Sequence, residues 1–341
     1  MIKEPVYKKR CILFVNLGTP DSYKPKDIRK YLREFLSDPR IIDIPSLARF
    51  LLLNLFILPF RPQKIAPNYK KIWLKEGSPL IIHTNKLKEE LTKVFDKEYI
   101  IEFAMRYGNP SLENILNKIK SQNFDSIKII PLFPQYSSAN TGSINEKIMS
   151  LIKKWEVIPS IEFINYFYDN PNFINAWSEI IKQYLEKENY EHILFSFHGL
   201  PENHIKKLGY KKCLSQNCCS EITQDNLYCY KAQCFKTANL IANSLKLPKE
   251  NYTISFQSRF GKTPWIKPYT EQTLKDLAKQ NYKNILIICP SFVSDCLETL
   301  YEISIEYQNI FKLAGGNKLQ LVESLNSNQI WVNALEKIIR E

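Results

Sequence analysis

Apolar, β-branched runs alternate with amphipathic stretches along the whole chain. The runs near 11–17, 99–105, 126–131, 161–165, 191–197, 252–257, 284–289 and 319–323 predict eight strands, and the stretches between them predict helices. Strand and helix in regular alternation is the pattern of βαβ units and parallel sheets.

The two halves of the pattern repeat one another. ILFVNLGTP (12–20) matches ILFSFHGLP (193–201), FAMRYG (103–108) matches FQSRFG (256–261), IIPLFP (129–134) parallels IICPSF (287–292), and FINAWSEII (173–181) matches WVNALEKII (331–339). Four matches in one order point to an internal duplication. The expected fold is therefore α/β: two similar Rossmann-like lobes, each a parallel four-stranded sheet flanked by helices, with a cleft between them. A boundary near 185–190 gives an N-terminal lobe, 1–187, and a C-terminal lobe, 188–341. The first half is longer between its first two motifs, and the surplus holds an apolar stretch that reads as an insertion, a lip over 41–64.

Ligands in open α/β sheets sit beyond the carboxyl ends of the strands. His198, one of only four histidines, stands at such an end, and its counterpart in the first half is Leu17. A strand-end histidine is also commonly a satisfied core residue or the partner of a loop carbonyl, and that reading stays open at this point. In SDCLETLYEISIEY (294–307), Ser294 or Asp295 is an expected N-cap. Asp295, Glu298, Glu302 and Glu306 then fall on one face of one helix. Like charges at that spacing repel by a few tenths of a kcal/mol per pair, roughly, so the stripe needs cations or solvent. Beside a nitrogen base it suits a divalent cation delivered to a nitrogen site, or proton removal from a nitrogen heterocycle.

Composition narrows the setting. The 341 residues are 44% hydrophobic and 24% charged, as in a packed globular protein. The net charge of +12 favours anionic partners, but the basic residues are scattered without a dense run, which argues against nucleic acid. MIKEPVYKKR passes straight into a strand without the apolar core of a secretory signal. The stretch from Leu47 to Phe60 is interrupted by Arg49 and Asn54 and is shorter than the ~20 residues a spanning helix needs, so it reads as an interfacial or lid segment.

Five of the eight cysteines, Cys213, Cys218, Cys219, Cys229 and Cys234, fall in the insert 213–234. Clustered thiols in a chain without an export signal read as a metal site. All-cysteine ligation suits an iron–sulfur cluster or structural zinc; unliganded cysteines are the remaining reading. Five candidates for four places leaves Cys218 against Cys219 open. Cys11, Cys289 and Cys296 stand alone as small buried residues.

Ser196-Phe-His-Gly-Leu-Pro201, Gln257-Ser-Arg-Phe-Gly-Lys-Thr-Pro-Trp265, Cys296-Leu-Glu-Thr-Leu-Tyr-Glu302, Pro134-Gln-Tyr-Ser137, Asn16-Leu-Gly-Thr-Pro20 and Gly77-Ser-Pro-Leu80 together resemble the signatures of the ferrochelatase family, over nearly the whole chain. The resemblance implies a chelatase-like fold and insertion of Fe(II), as substrate, into protoporphyrin IX with release of two protons, the last step of haem synthesis. It implies that His198 accepts a pyrrole proton or ligates the metal and that Glu298 faces it across the porphyrin as a second ligand. Asp295, Glu302 and Glu306 would form the polar path for protons or iron. Leu17 would press on the opposite ring face, with Arg106, Tyr107, Ser137 and Trp265 lining the pocket. The lip 41–64 would admit the porphyrin and touch the membrane, Arg61 and Lys64 meeting propionates or lipid phosphates, in a cytoplasmic protein peripheral on the inner face of the membrane. Some bacterial members carry a [2Fe-2S] cluster, and the cysteine-rich insert resembles theirs. Coproporphyrin III, another metal or tetrapyrrole, and an inactive cofactor-binding module are the alternatives. Arg106, with a duplicate in Arg259, also reads as a strut, and Trp265 as a hydrophobic plug. The oligomeric state is not legible.

Overall fold

The computed structural model describes residues 9–210, 213–214, 217–261 and 263–341. Eight strands occur among them: β1 (Arg10–Thr19), β2 (Tyr99–Gly108), β3 (Ser126–Pro131), β4 (Ser160–Phe163), β5 (His192–His198), β6 (Tyr252–Gln257), β7 (Asn284–Ile288) and β8 (Lys318–Leu321). They form two wholly parallel four-stranded sheets, ordered β2-β1-β3-β4 and β6-β5-β7-β8. The central strands are apolar on both faces because helices cover both. Residues 11–16 and 192–197 are buried without interruption, as βαβ crossovers require.

The duplication is visible in the hydrogen bonding. Phe14 pairs with Ile130 and Phe195 with Ile288. The amide of Ile164 donates to Ile129 O and that of Val322 to Ile287 O. Two helices, Pro171–Leu185 and Gln329–Arg340, begin at Asn170 and Asn328, and each asparagine side chain accepts from the amide two residues on, the N-cap arrangement.

One sequence match is out of register. Asn16 pairs with Met105 and Phe197 with Phe256, while the Met105 and Phe256 amides donate to Pro110 O and Pro268 O. Met105 therefore corresponds to Phe256, two residues away from the alignment of the F-x-x-R motifs. Arg106 corresponds to Gln257 and is not duplicated by Arg259. Arg259 is exposed, its guanidinium 4.7 Å from the Tyr269 ring centroid. Letter matches slip in this way because a strand's register is fixed by its neighbours across the sheet.

The chain divides into two compact units: residues up to Leu132 with Ser138–Asn165, and Phe133–Ser137 with Tyr166–Glu341. Helix Pro171–Leu185, expected in the N-terminal lobe, belongs to the second unit. It packs against helices Gln329–Arg340 and Tyr230–Ser244, with Trp331 between Phe167 and Phe173 at ring distances of 6.0 Å. Residues 133–137 join the same unit through polar bonds, Gln135 Nε2 to Thr237 Oγ1 at 3.0 Å and the Tyr136 amide to Gln233 Oε1 at 2.7 Å.

The apolar insertion folds as a helix Ser46–Leu51, a π-helical turn Leu52–Ile57 and a helix Arg61–Ile72. Leu53, Ile57 and Leu58 face inward, and Arg29 Nε ties Leu58 O at 3.1 Å. The other side leaves Leu47, Phe50, Leu55, Phe56 and Phe60 exposed, Leu47 by 70% and Phe60 by 69%. Among the described residues, no helix is long and apolar enough to cross a membrane.

Candidate functional site

The second sheet ends β5 on His198. Its Nδ1 lies 2.6 Å from Gly199 O, and a carbonyl can only accept, so Nδ1 carries a hydrogen and the lone pair of the neutral ring is on Nε2. The Gly199 amide donates to Gln257 O at 2.8 Å, and the Tyr230 hydroxyl donates to His198 O at 2.8 Å. The imidazole has the Trp265 and Phe292 rings beside it, at 6.5 and 6.1 Å. Trp265 is buried and donates Nε1–H to Phe260 O at 2.8 Å. A Cβ on Gly199 would stand 3.1 Å from its ring, so the glycine lets the tryptophan in. The plug and the pocket-lining reading of Trp265 meet here: it is a hydrophobic wall, and the wall is beside His198.

The acidic helix departs from expectation. Glu298–Tyr307 is π-helical, closing with the Gln308 amide on Ile303 O. Extended π-helix is rare and concentrates at functional sites, and nothing in the apolar spacing announces it. Residues four apart still lie near one turn apart, but the four carboxylates have different surroundings. Asp295 is buried and accepts from Asn326 Nδ2 at 2.8 Å and Thr299 Oγ1 at 2.9 Å, with its own amide donating to Asn326 Oδ1. These bonds tie Asp295 to the start of the turn. Glu302 accepts from the Ser258 amide at 2.8 Å, Ser258 Oγ at 2.5 Å and the Tyr307 hydroxyl at 2.9 Å. Glu306 is exposed.

Burial pushes the Glu302 carboxyl above its ordinary value, and the Glu298 charge adds to this. Hydrogen bonds from Ser258 and Tyr307 and the charge of His198 pull the other way without winning. Glu302 is therefore within electrostatic reach of both His198 and Glu298. A carboxyl so perturbed beside a histidine fits proton transfer. A raised folded-state pKa means that folding binds the proton more tightly. The group's stability contribution is present below the ordinary carboxylate pKa and is lost as pH rises through the folded value. The Glu302→Gln protein should accordingly gain stability over the parent between pH 4.5 and pH 8, read from urea midpoints; a gap that narrows would refute the raised pKa.

Sequence reasoning passed over the scaffold of this site. Gln257 Nε2 donates to Glu298 O at 3.1 Å and lies 3.4 Å from Glu302, while its Oε1 accepts from Ser196 Oγ at 2.8 Å. Ser258 adopts φ +66, a left-handed backbone unusual for serine, and it is this turn that brings both its amide and its hydroxyl to Glu302. Both residues stand inside the Gln257–Trp265 motif, so the signal was present without a role attached.

In the first unit, Asp38, which no motif flagged, organises the residues expected to line the pocket. Its carboxylate accepts from Arg106 Nη2 at 2.7 Å, the Tyr107 hydroxyl at 2.8 Å, Ser143 Oγ at 2.6 Å and the Arg40 amide at 2.7 Å. Burial alone would raise the Asp38 pKa, but these bonds and the Arg106 charge hold it below the usual range. Tyr107 is 0% exposed, so it is a strut beneath the surface rather than a pocket wall, and Arg106 is the strut the alternative reading described. Leu17 is half-buried near the end of β1. Ser137 is buried in the segment that joins the second unit.

All eight cysteines are free. Cys218 and Cys219 have their sulfurs 3.6 Å apart, the thiols of Cys219 and Cys229 are hydrogen-bonded, and Cys213 lies within electrostatic reach of Cys218 and Cys229. Cys234 is apart, fully buried beside the Tyr230 hydroxyl. The thiol donors are soft and adjacent, as a thiolate-held group needs. Among the described residues, however, no three His, Cys, Asp or Glu side chains form a group that could hold a metal ion. Residues 215 and 216 of the insert lie outside the described residues.

Comparisons with known proteins point one way. A ferrochelatase family model matches residues 9–341. A ferrochelatase of Legionella pneumophila (strain Lens) is 45% identical over 333 residues, 98% of this chain and 99% of that protein. One of Coxiella burnetii (strain CbuK_Q154) is 41% identical over 332 residues, 97% of this chain and 93% of that protein. Among solved structures, SirB from Bacillus subtilis with Fe3+ superposes with a TM-score of 0.57 at 11% identity, covering 98% of this chain and 95% of that one, a likeness of fold.

Proposed function

The chain belongs to the ferrochelatase family, metal chelatases that make haem by inserting iron, and from that premise we propose that its porphyrin is protoporphyrin IX and that His198 removes the pyrrole protons. The observation that carries this reading is the Nδ1–H of His198 engaged by Gly199 O, which leaves Nε2 as the basic atom.

Metallation replaces two pyrrole N–H protons by one Fe(II), so two protons must leave for each iron that enters. His198 Nε2 accepts a proton from a pyrrole nitrogen and passes it to Glu302, whose raised pKa makes it an acceptor better matched to neutral pH than an ordinary carboxyl. Glu306, exposed at the far end of the π-helix, returns protons to water. Glu298 ligates the iron, joined by His198 Nε2 only after its proton has passed to Glu302, oxygen and imidazole donors suiting a divalent metal on its way to nitrogen. Bending the macrocycle to aim its nitrogen lone pairs at the metal is work done by binding energy, and Trp265, the buried wall beside His198, presses on the ring.

The apolar lip supports the less charged, dicarboxylate porphyrin. Protoporphyrin IX is expected to give a kcat/KM at least tenfold above coproporphyrin III, and equal or reversed values would overturn this choice. The same surface, with Arg61 and Lys64 at its border, suits contact with the cytoplasmic face of a membrane. Each apolar side chain buried there is worth about 1.5–3 kcal/mol. A Leu47→Glu, Phe56→Glu, Phe60→Glu variant should therefore lose more than tenfold in co-sedimentation with anionic vesicles, and undiminished binding would remove the lip from the contact.

For the insert, four of the thiols Cys213, Cys218, Cys219, Cys229 and Cys234 are proposed to hold a [2Fe-2S] cluster with a structural or sensing role, since metal insertion itself involves no redox change. Five free thiols in one segment support this reading. Equimolar iron and sulfide with visible absorption in the purified protein would bear it out; zinc, or neither, would reject it.

A further inference from the structure

The tautomer of His198 depends on Gly199 O, and the peptide plane just before that carbonyl is held at both ends. The bond joining His198 to Gly199 has its N–H on Gln257 O at 2.8 Å and its C=O on the Tyr230 hydroxyl at 2.8 Å. The next carbonyl along, Gly199 O, is the acceptor for His198 Nδ1–H at 2.6 Å. Gly199 O belongs to the following peptide and joins this plane at the Gly199 Cα, so a shift of the held plane carries Gly199 O, and with it the ring and the direction of Nε2.

Of the two holds, Gln257 O belongs to the sheet, whereas Tyr230 belongs to the cysteine-rich segment. Tyr230 is the first residue of helix Tyr230–Ser244, and Cys229 is its N-cap. The first-turn amides of Lys231 and Ala232 face the Cys229 sulfur, which also bonds to Cys219. The Tyr230 hydroxyl is buried, 3.2 Å from Ser291 Oγ and adjacent to the Cys234 thiol. A phenol has one proton to donate, and His198 O takes it, so Ser291 Oγ and the Cys234 thiol, each with a hydrogen of its own, meet the phenol oxygen and bear on where the hydroxyl sits. Whatever rearranges the sulfurs at either end of this helical turn alters the hold on His198.

We propose that Tyr230 is a positioning residue for His198, through which the arrangement of the cysteine segment sets the direction of the catalytic lone pair. This deepens the proton-removal reading and rests on it. It does not depend on which group the thiols hold.

Tyr230→Phe retains the ring and removes the hydroxyl. The expected result is a kcat for Fe(II) insertion lowered about 5- to 20-fold with KM for porphyrin within twofold, in a protein that unfolds at nearly the parental temperature. The decisive signature is the imidazole 15N spectrum of His198, which should pass from a single Nδ1–H tautomer in the parent to a mixture in Tyr230→Phe. Cys234→Ser should perturb the same signals in the parent background and leave them unmoved when Tyr230 is already phenylalanine. An unchanged His198 spectrum in Tyr230→Phe, or equal effects of Cys234→Ser in the two backgrounds, overturns the proposal. A parent protein that metallates no porphyrin would sink the functional reading instead, and the tautomer measurement would still decide the role of Tyr230.

Discussion

His198→Ala is expected to lower the rate of iron insertion into protoporphyrin IX about 10³-fold while leaving the fold intact. A positioned general base contributes roughly 10²–10⁴-fold, and the loss of a metal donor from the same side chain adds to it. The fold should survive because the ring is half-exposed at the end of β5 and, among the described residues, its side chain bonds to its neighbour's carbonyl. Leu17, its counterpart in the first sheet, shows that the turn does not require an imidazole. Initial rates with Fe(II) and protoporphyrin IX, alongside circular dichroism, make the check. A folded His198→Ala protein that turns over within threefold of the parent would assign the base elsewhere, and Glu298→Gln and Glu302→Gln would be the next variants to assay.

The largest loss of stability is expected at Gly18. Its φ is +120, and a Cβ there would stand 1.8 Å from Tyr107 O, backbone of the paired strand. No side-chain movement relieves that contact, so β1 and β2 must part or the Tyr107 peptide must rotate. With Tyr107 also bonded to Asp38 and Ser143, either response breaks a buried network. The Gly18→Ala protein should lose more than about 4 kcal/mol, a rare loss for one substitution, out of a total of roughly 5–15 kcal/mol. Gly315 is the control: φ +101 with nothing within 4 Å of a Cβ, so Gly315→Ala bears only the conformational cost, about 1–2 kcal/mol. Urea midpoints rank the two, and equal losses would mean that backbone conformation alone governs both sites.

Gly18 and Gly199 show how much the chain discloses before it folds. Gly18 and Gly199 were legible as a matched pair because the duplication keeps them at the same point of their strands. What each avoids was not legible: Tyr107 O for one, Gln257 O and the Trp265 ring for the other. The acidic stripe divides in the same way. Its four carboxylates were found by spacing, but Asn326 and Thr299 bind Asp295, while burial raises the Glu302 pKa against the hydrogen bonds from Ser258 and Tyr307.

By itself the sequence determined the eight strands, the two parallel sheets, the histidine at a strand's carboxyl end, the exposed apolar insertion and the gathering of thiols. All of these follow from the order of residue types over a few turns or strands, where period and spacing act directly. Only the tertiary structure decided that Met105, not Phe103, corresponds to Phe256, that Tyr107 lies beneath the surface, that helix Pro171–Leu185 belongs to the second unit, and that the helix after β7 winds as a π-helix. Each of those depends on burial and on partners far away in the chain, Asp38 for Tyr107 and Trp331 for Phe173. The free energy of a buried polar group is set by who meets it, and local pattern does not carry that information.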